Sequence, residues 1–484
     1  MSADPLHDFA LPSRRDFLGH ATGGFSTIAL AWLLSQDAKG AVPSDKLPSP
    51  YAPKKPHFPA KVKRAIHIFA AGGVSHVDTF DYKPELARLQ GKPLEGKGKI
   101  DPFFGQPGNL MPSPFKFQRR GESGAWVSDL LPGLADCVDE ICFLHSMQAK
   151  SSNHTPATFQ MNSGFTFNGY PCLGSWLSYG LGSENQDLPA FVVLPDPREL
   201  PAGGATNWSS GFLPATHQGT AFKTDGDPVL DLYTPRTVSP AARLAGMDLL
   251  AKMNHEFVEA NQGESTLAAR LQSYELAARM QASVPEVIAF SDETEATRRL
   301  YGLDRDESAG FGRNCLLARR LIERGVRFVQ LFNGGKFGQP RINWDGHENV
   351  ETNHRNQAAV MDVPVAGLLR DLKDRGLLED TLLIWSTEFG RTPFTQGINS
   401  KGRDHHQLVF TCWLAGAGVK PGFSYGSSDE VGYYPAENPA TIYDFHATIL
   451  HLLGLDHTRL TYYHNGIQRR LTDVHGQVIK EVLT

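Results

Sequence analysis

Short apolar runs of strand length alternate along the chain with longer segments of helical periodicity. The runs are Ala65–Ala70, Ile141–Leu144, Ala190–Leu194, Val326–Phe332, Leu382–Ser386 and Leu408–Leu414. They are nearly continuous rather than alternating, which suits strands buried on both faces. Helical patterns lie between them, the clearest over Ala241–Gln281, Phe311–Arg324, Arg355–Arg375 and Thr441–Leu453. Strand alternating with helix predicts an α/β fold, a mixed and mostly parallel sheet between two helical layers. Residues Asp196–Ser239, heavy in Gly, Pro and Thr, read as a long irregular excursion of the kind that overhangs a site. With no internal repeat or low-complexity block, residues 61–484 are expected to form a single large domain.

Upstream of the first strand, residues 42–60 are rich in Pro and Lys and read as an extended linker. Residues 1–41 follow a different grammar. The run Ser13-Arg14-Arg15-Asp16-Phe17-Leu18 precedes a weakly apolar stretch, Gly19–Leu34, and then the small residues Ala38, Gly40 and Ala41. That order is the signature of a twin-arginine export signal with its cleavage site. The stretch is too short and too interrupted for a membrane span, which takes roughly 20 mostly apolar residues. The expected location is therefore periplasmic or extracellular, and the twin-arginine translocase is an expected partner during export. That machinery carries folded proteins, so the leader is compatible with a mature domain that acquires metal or cofactor before export.

Composition narrows the function classes. A net charge of −5, with 40% hydrophobic and 20% charged residues, describes a soluble globular chain and offers nothing basic enough for nucleic acid. Five cysteines without a C-x-x-C pattern indicate neither a disulfide framework nor a thiolate zinc site. Cys137 and Cys142 are spaced to bridge, with buried thiols the plainer reading.

In open α/β sheets, ligands sit beyond the carboxyl ends of the strands, and the acids and histidines cluster after the predicted strands. Asp78 follows the first, His154 and Thr155 the second, and Asp345-Gly346-His347 the fourth. Glu388 and Arg391 follow the fifth, while Arg403-Asp404-His405-His406 directly precede the sixth. Taken singly, each has an ordinary explanation: a turn cap for Asp78, a pair with Arg391 for Glu388, a loop histidine in 405–406. Four carboxylates and several histidines on one rim, however, would repel or remain expensively desolvated without a cation. The metal-ligand candidates are Asp78, Asp345, His347, Glu388, Asp404, His405 and His406. Oxygen and imidazole donors without thiolate suit zinc, manganese, magnesium or calcium alike. His446 and His451, in a mainly apolar helical pattern, read as structural.

The motifs Gly72-Gly73-Val74-Ser75-His76-Val77-Asp78-Thr79-Phe80-Asp81, Met161-Asn162-Ser163-Gly164, Leu173–Gly182, Glu388-Phe389-Gly390-Arg391-Thr392-Pro393 and Gly402-Arg403-Asp404-His405-His406, taken together, resemble the 1501 domain-of-unknown-function family. These are twin-arginine-exported, sulfatase-like proteins, and the resemblance spans essentially the whole mature chain. It implies the alkaline-phosphatase-like fold, shared by sulfatases, phosphodiesterases and phosphomutases. His154–Gly164 is similar in spacing to the sulfatase signature, in which a nucleophilic Cys or Ser stands two residues before a proline. Here His154 holds that place, so formylglycine chemistry lacks its precursor. His154, or Thr155 one place on, is left as the acting group. Glu388 and Phe389 stand where relatives usually carry Asp and His.

No H-E-x-x-H, G-x-S-x-G or nucleotide-binding glycine fingerprint is present. The expected function is metal-dependent hydrolysis of a small-molecule or polysaccharide phosphate or sulfate ester. Arg391 and Arg403 are the candidate clamps for the substrate anion. A non-catalytic protein that binds glycans or sulfated polymers through a degenerate site is the alternative.

Overall fold

The computed structural model describes residues 51–100, 102–224, 228–229, 238–260, 265–336, 338 and 340–484. The export signal expected over residues 1–41, and residues 42–50 of the linker, lie outside the described residues. The described chain divides into two compact units, one of Pro50–Tyr233 with Leu276–Thr484 and the other including Thr234–Glu275. The single helical pattern expected over Ala241–Gln281 corresponds to two helices, Pro240–Ala260 and Ser265–Ile288.

The larger unit is built on a nine-stranded sheet. Its strands are β1 (Arg64–Ala70), β3 (Ile141–Gln148), β4 (Phe191–Leu194), β5 (Thr220–Ala221), β6 (Phe328–Asn333), β7 (Thr381–Ser386), β10 (Phe410–Gly416), β11 (Ser424–Tyr425) and β12 (Ala440–Thr441). The order is β11-β3-β10-β7-β1-β6-β4-β5, with β12 also on β3. Pairing is parallel throughout except at β10, which runs antiparallel to both β3 and β7. All six expected strands are present, and the fold is the expected α/β type. The strand expected over Ile141–Leu144 runs on to Gln148 because β10 zips along it, Phe410 opposite Met147.

Alternation along β1 shows why both faces are covered. Ile66, Ile68 and Ala70 enter one core, built with helices α3 (Asp306–Glu323) and α4 (Val350–Asp374). Ala65 and Phe69 enter a second core, with α2 (Leu173–Leu181) and α5 (Ile442–Leu452). Successive strand side chains point to opposite faces, so an unbroken apolar run is what a two-sided strand requires. Local chemistry fixes helix starts: the Asn349 side chain accepts from the Thr352 amide ahead of α4, and Thr441 with Asp444 forms a capping box ahead of α5. The excursion over 196–239 supplies the edge strand β5 and two short 3-10 turns, Gly204–Trp208 and Ala215–His217.

A three-stranded sheet flanks this body: β2 (Pro107–Leu110), β8 (Gly390–Gln396) and β9 (Arg403–His406), in the order β9-β8-β2. Arg391 lies opposite His405 in the β8–β9 pair.

Candidate metal centre

The rim beyond the carboxyl ends of β1, β3, β6 and β7 carries the site, and its frame begins with two glycines. After β1 the backbone turns through Gly72 at φ +115° and Gly73 at φ +71°, values that favour glycine. A Cβ on Gly72 would sit 2.5 Å from the Trp344 amide nitrogen, and one on Gly73 2.6 Å from the Phe389 ring. This close approach lets the Gly72 amide donate to both Glu388 oxygens, at 2.9 and 3.1 Å. The carbonyls of Gly72 and Gly73 accept from Arg391.

Helix α1 (His154–Ser163) starts beside this frame. The His154 Nδ1 lies 2.7 Å from Glu388 Oε1. His405 Nδ1 is 2.6 Å from the Ser152 carbonyl, and His347 Nδ1 is 2.5 Å from Gln396 Oε1. Carbonyl and carboxylate oxygens only accept, so each Nδ1 carries the hydrogen, which leaves each Nε2 as the nitrogen turned inward and open to a metal. All three face Asp345 Oδ1, His347 at 2.8 Å and His154 and His405 at 3.3 Å. His347 Nε2 and His405 Nε2 are themselves 2.8 Å apart. One ligand atom from each of His154, Asp345, His347 and His405 falls within 4.8 Å of the others.

Four ligand atoms gathered this closely, three imidazole nitrogens and a carboxylate oxygen, are the donor set a shared cation takes. Anchoring the outer nitrogen of a ligand histidine to an oxygen acceptor is the arrangement that orients imidazoles on metals. The residues present thus fit a divalent ion. Burial holds His405 neutral, its pKa pushed down to about 2 although Asp345 lies beside it. For Asp345, burial favours the neutral acid, but the Arg391 charge outweighs it and keeps the carboxyl ionised, well below the usual carboxylate range. Arg391 Nη2 lies 2.6 Å from Oδ1, and Arg341 Nη1 meets Oδ2.

The cluster opens on a cleft of about 1030 Å³ whose walls include Phe103, Phe104, Thr155, Arg341 and Glu348. Phe103 stacks on His405 at 4.7 Å between centroids, and Phe104 meets His347 edge-on at 5.3 Å. Thr155 is half-buried.

Of the expected site residues, Asp345, His347, His405 and His154 converge, with Glu388 bonded to His154 rather than to Arg391. Asp78, Asp404 and His406 face elsewhere. Asp78 forms an ion pair with Arg403, the Arg403 Nε 2.7 Å from Oδ2, with both side chains wholly buried, and accepts from Ser75 Oγ at 2.6 Å. Asp404 accepts from the amides of Phe104 and His405. His406 contacts the Tyr433 carbonyl at 2.6 Å, and burial pushes its pKa down to about 3. Strand alternation on β9 sends His405 one way and its two neighbours the other. Arg391 and Arg403 are also wholly buried, bound to backbone carbonyls and acids, and neither lines the cleft. His446 is buried against the Met161 carbonyl and His451 packs on Phe58. All five cysteines are buried free thiols. Sequence reasoning missed Arg341, Gln396, Phe103 and Phe104; the only available signal was Arg341 standing four residues before Asp345.

No helix among the described residues is long and apolar enough to cross a membrane. No curated protein matches the sequence. Solved structures similar to this chain include the lipoteichoic acid synthase LtaP from Listeria monocytogenes, at 10% identity over 87% of this chain and 78% of that one, TM-score 0.36. Others are the PsFucS1 sulfatase from Pseudoalteromonas sp., 12% identical over 88% and 71%, TM-score 0.34, and the phosphonate monoester hydrolase SpPMH from Silicibacter pomeroyi, 11% identical over 73% and 71%, TM-score 0.34. The family described as "Protein of unknown function (DUF1501)" matches residues 62–483, nearly the whole folded chain, and the protein belongs to that family.

Proposed function

We propose that the protein is an exported, metal-dependent hydrolase of a phosphate or sulfate ester. One observation carries this reading: three imidazole lone pairs and Asp345 Oδ1 converge on one point at the wall of an open cleft. Three nitrogens and one oxygen favour zinc or manganese over magnesium or calcium, which prefer all-oxygen shells. Such an ion would polarise the ester and neutralise charge on the oxygens of its transition state. His154, held by Glu388 on one side and facing Asp345 on the other, acts as a donor to the ion. Thr155, in the first turn of α1 and on the cleft, supplies the hydroxyl nucleophile, and the positive end of the helix favours an anion there.

The test is metal analysis of the purified mature protein, followed by aryl phosphate, phosphodiester and aryl sulfate assays. Wild type is expected to hold metal and turn over one of the three. His154→Ala is expected to lose both, and turnover that survives this change overturns the assignment of His154. Thr155→Val should keep the metal and lose turnover. A second reading rests on Asp345, whose two oxygens already meet Arg391 and Arg341. A site neutralised in this way suits a non-catalytic binder of glycans or sulfated polymers, and metal without turnover would favour it.

A further inference from the structure

The buried Arg391 and Arg403 are locked in place, which leaves open what holds the anionic end of a substrate. Asp345 is shared between two arginines of different character. The Arg391 side chain is wholly buried, and its other N–H groups go to the carbonyls of Gly72, Gly73 and Arg403. Arg341 lies on the cleft wall with 21% of its side chain exposed. Its Nε and Nη2 hold Glu348 in a two-pronged pair at 2.8 and 2.7 Å, and only Nη1 reaches Asp345. The Glu348 carboxylate is itself 59% exposed, so this tether is a surface ion pair of small worth.

We infer that Arg341 is the group that binds the substrate's tetrahedral oxyanion, exchanging Asp345 for an ester oxygen at the mouth of the donor cluster. Among the described residues that line this cleft it supplies the guanidinium, a planar fork matched to two oxygens of a phosphate or sulfate. An ion held by Asp345 would draw charge from that carboxylate and weaken its hold on Nη1. The contact with Glu348 then keeps the side chain in reach of the cleft, while the Glu348 charge opposes the incoming anion. The inference rests on the proposed hydrolase reading for its substrate class, but binding of an oxyanion does not need turnover.

The experiment is calorimetric titration of the purified full chain, at its measured metal content, with inorganic phosphate and separately with sulfate. Arg341→Gln is expected to weaken the better-bound anion roughly 10- to 100-fold, the range for a lost charged hydrogen bond. Arg341→Lys should recover part of that loss. Glu348→Gln is expected to tighten binding several-fold, opposite in sign, whereas a purely structural role for the pair would weaken binding in both variants. Wild type binding neither anion, or Arg341→Gln binding within about twofold of wild type at equal metal content and equal ellipticity, overturns the inference. If Arg341→Gln fails to fold, Glu348→Gln decides alone, and unchanged or weaker binding overturns it. Arg341-dependent binding without turnover of any ester sustains the inference and removes the hydrolase reading. Turnover with KM indifferent to Arg341 does the reverse.

Discussion

At the scale of single residues the site is decided by what lies behind each donor. His347 and His405 are useful to a metal because Gln396 and the Ser152 carbonyl fix their outer nitrogens. Gln396→Ala leaves every direct donor in place yet removes that anchor, and a lost second partner of this type costs roughly 10- to 100-fold in metal affinity. Competition with a chelating dye reads the loss, and affinity unchanged within twofold would show that the ring needs no anchor. Gly72 tests the frame in the same way. Gly72→Ala places a Cβ 2.5 Å from the Trp344 amide at a φ of +115°. It should displace the 344–347 segment and reduce metal content along with thermal stability. The pair Asp345-Gly346-His347 was legible in the sequence as two donors on one turn. The bond from Glu388 to His154 was not, because nothing in local spacing says which of several bases a buried carboxylate meets at a sequence separation of 234.

At the scale of elements, the strands of the main sheet could be read from their apolar runs, and the β8–β9 hairpin could not. Arg403-Asp404-His405-His406 has no apolar alternation, and it is buried only because each polar group finds a partner. The central pair of that arrangement is Asp78 with Arg403, which joins the single turn His76–Thr79 to β9. Burial raises the Asp78 pKa, but the charge and hydrogen bonds of Arg403 outweigh it and hold the carboxyl below its ordinary value. Asp78→Ala strands a guanidinium in the core and should cost about 3–5 kcal/mol in urea unfolding. A loss below about 1 kcal/mol would mean that water reaches Arg403. Because β9 also carries His405, the same variant is expected to bind metal more weakly, although Asp78 is not among the four converging donors.

At the scale of the whole molecule, buried neutral histidines set the response to acid. Burial, with His446 nearby, pushes His67 down to about 3, and burial pushes His446 itself down to about 4. Unfolded, each takes up its proton near pH 6.5; folded, it resists until far lower. Stability from these groups is therefore complete above about pH 6.5 and is lost as pH falls towards 4 and 3, by roughly 1.4 kcal/mol per unit for each. Between pH 7 and pH 5 the unfolding free energy should drop, and His446→Gln should lessen that drop by about 2 kcal/mol. An equal drop in the variant would contradict this account. Export belongs to this scale too: the doublet Arg14-Arg15 predicts that changing both to Lys leaves the precursor inside the cell, read by fractionation of a tagged full-length chain.

The four converging donors come from positions 154, 345, 347 and 405, and they meet only after β3, β10, β7, β1 and β6 have found their places side by side. Such long-range closure comes late, so an ion would arrive at a nearly finished molecule and contribute little to the rate at which it forms. Its effect would fall on the way out: chelation should hasten unfolding in a stopped-flow trace while leaving the refolding limb where it was.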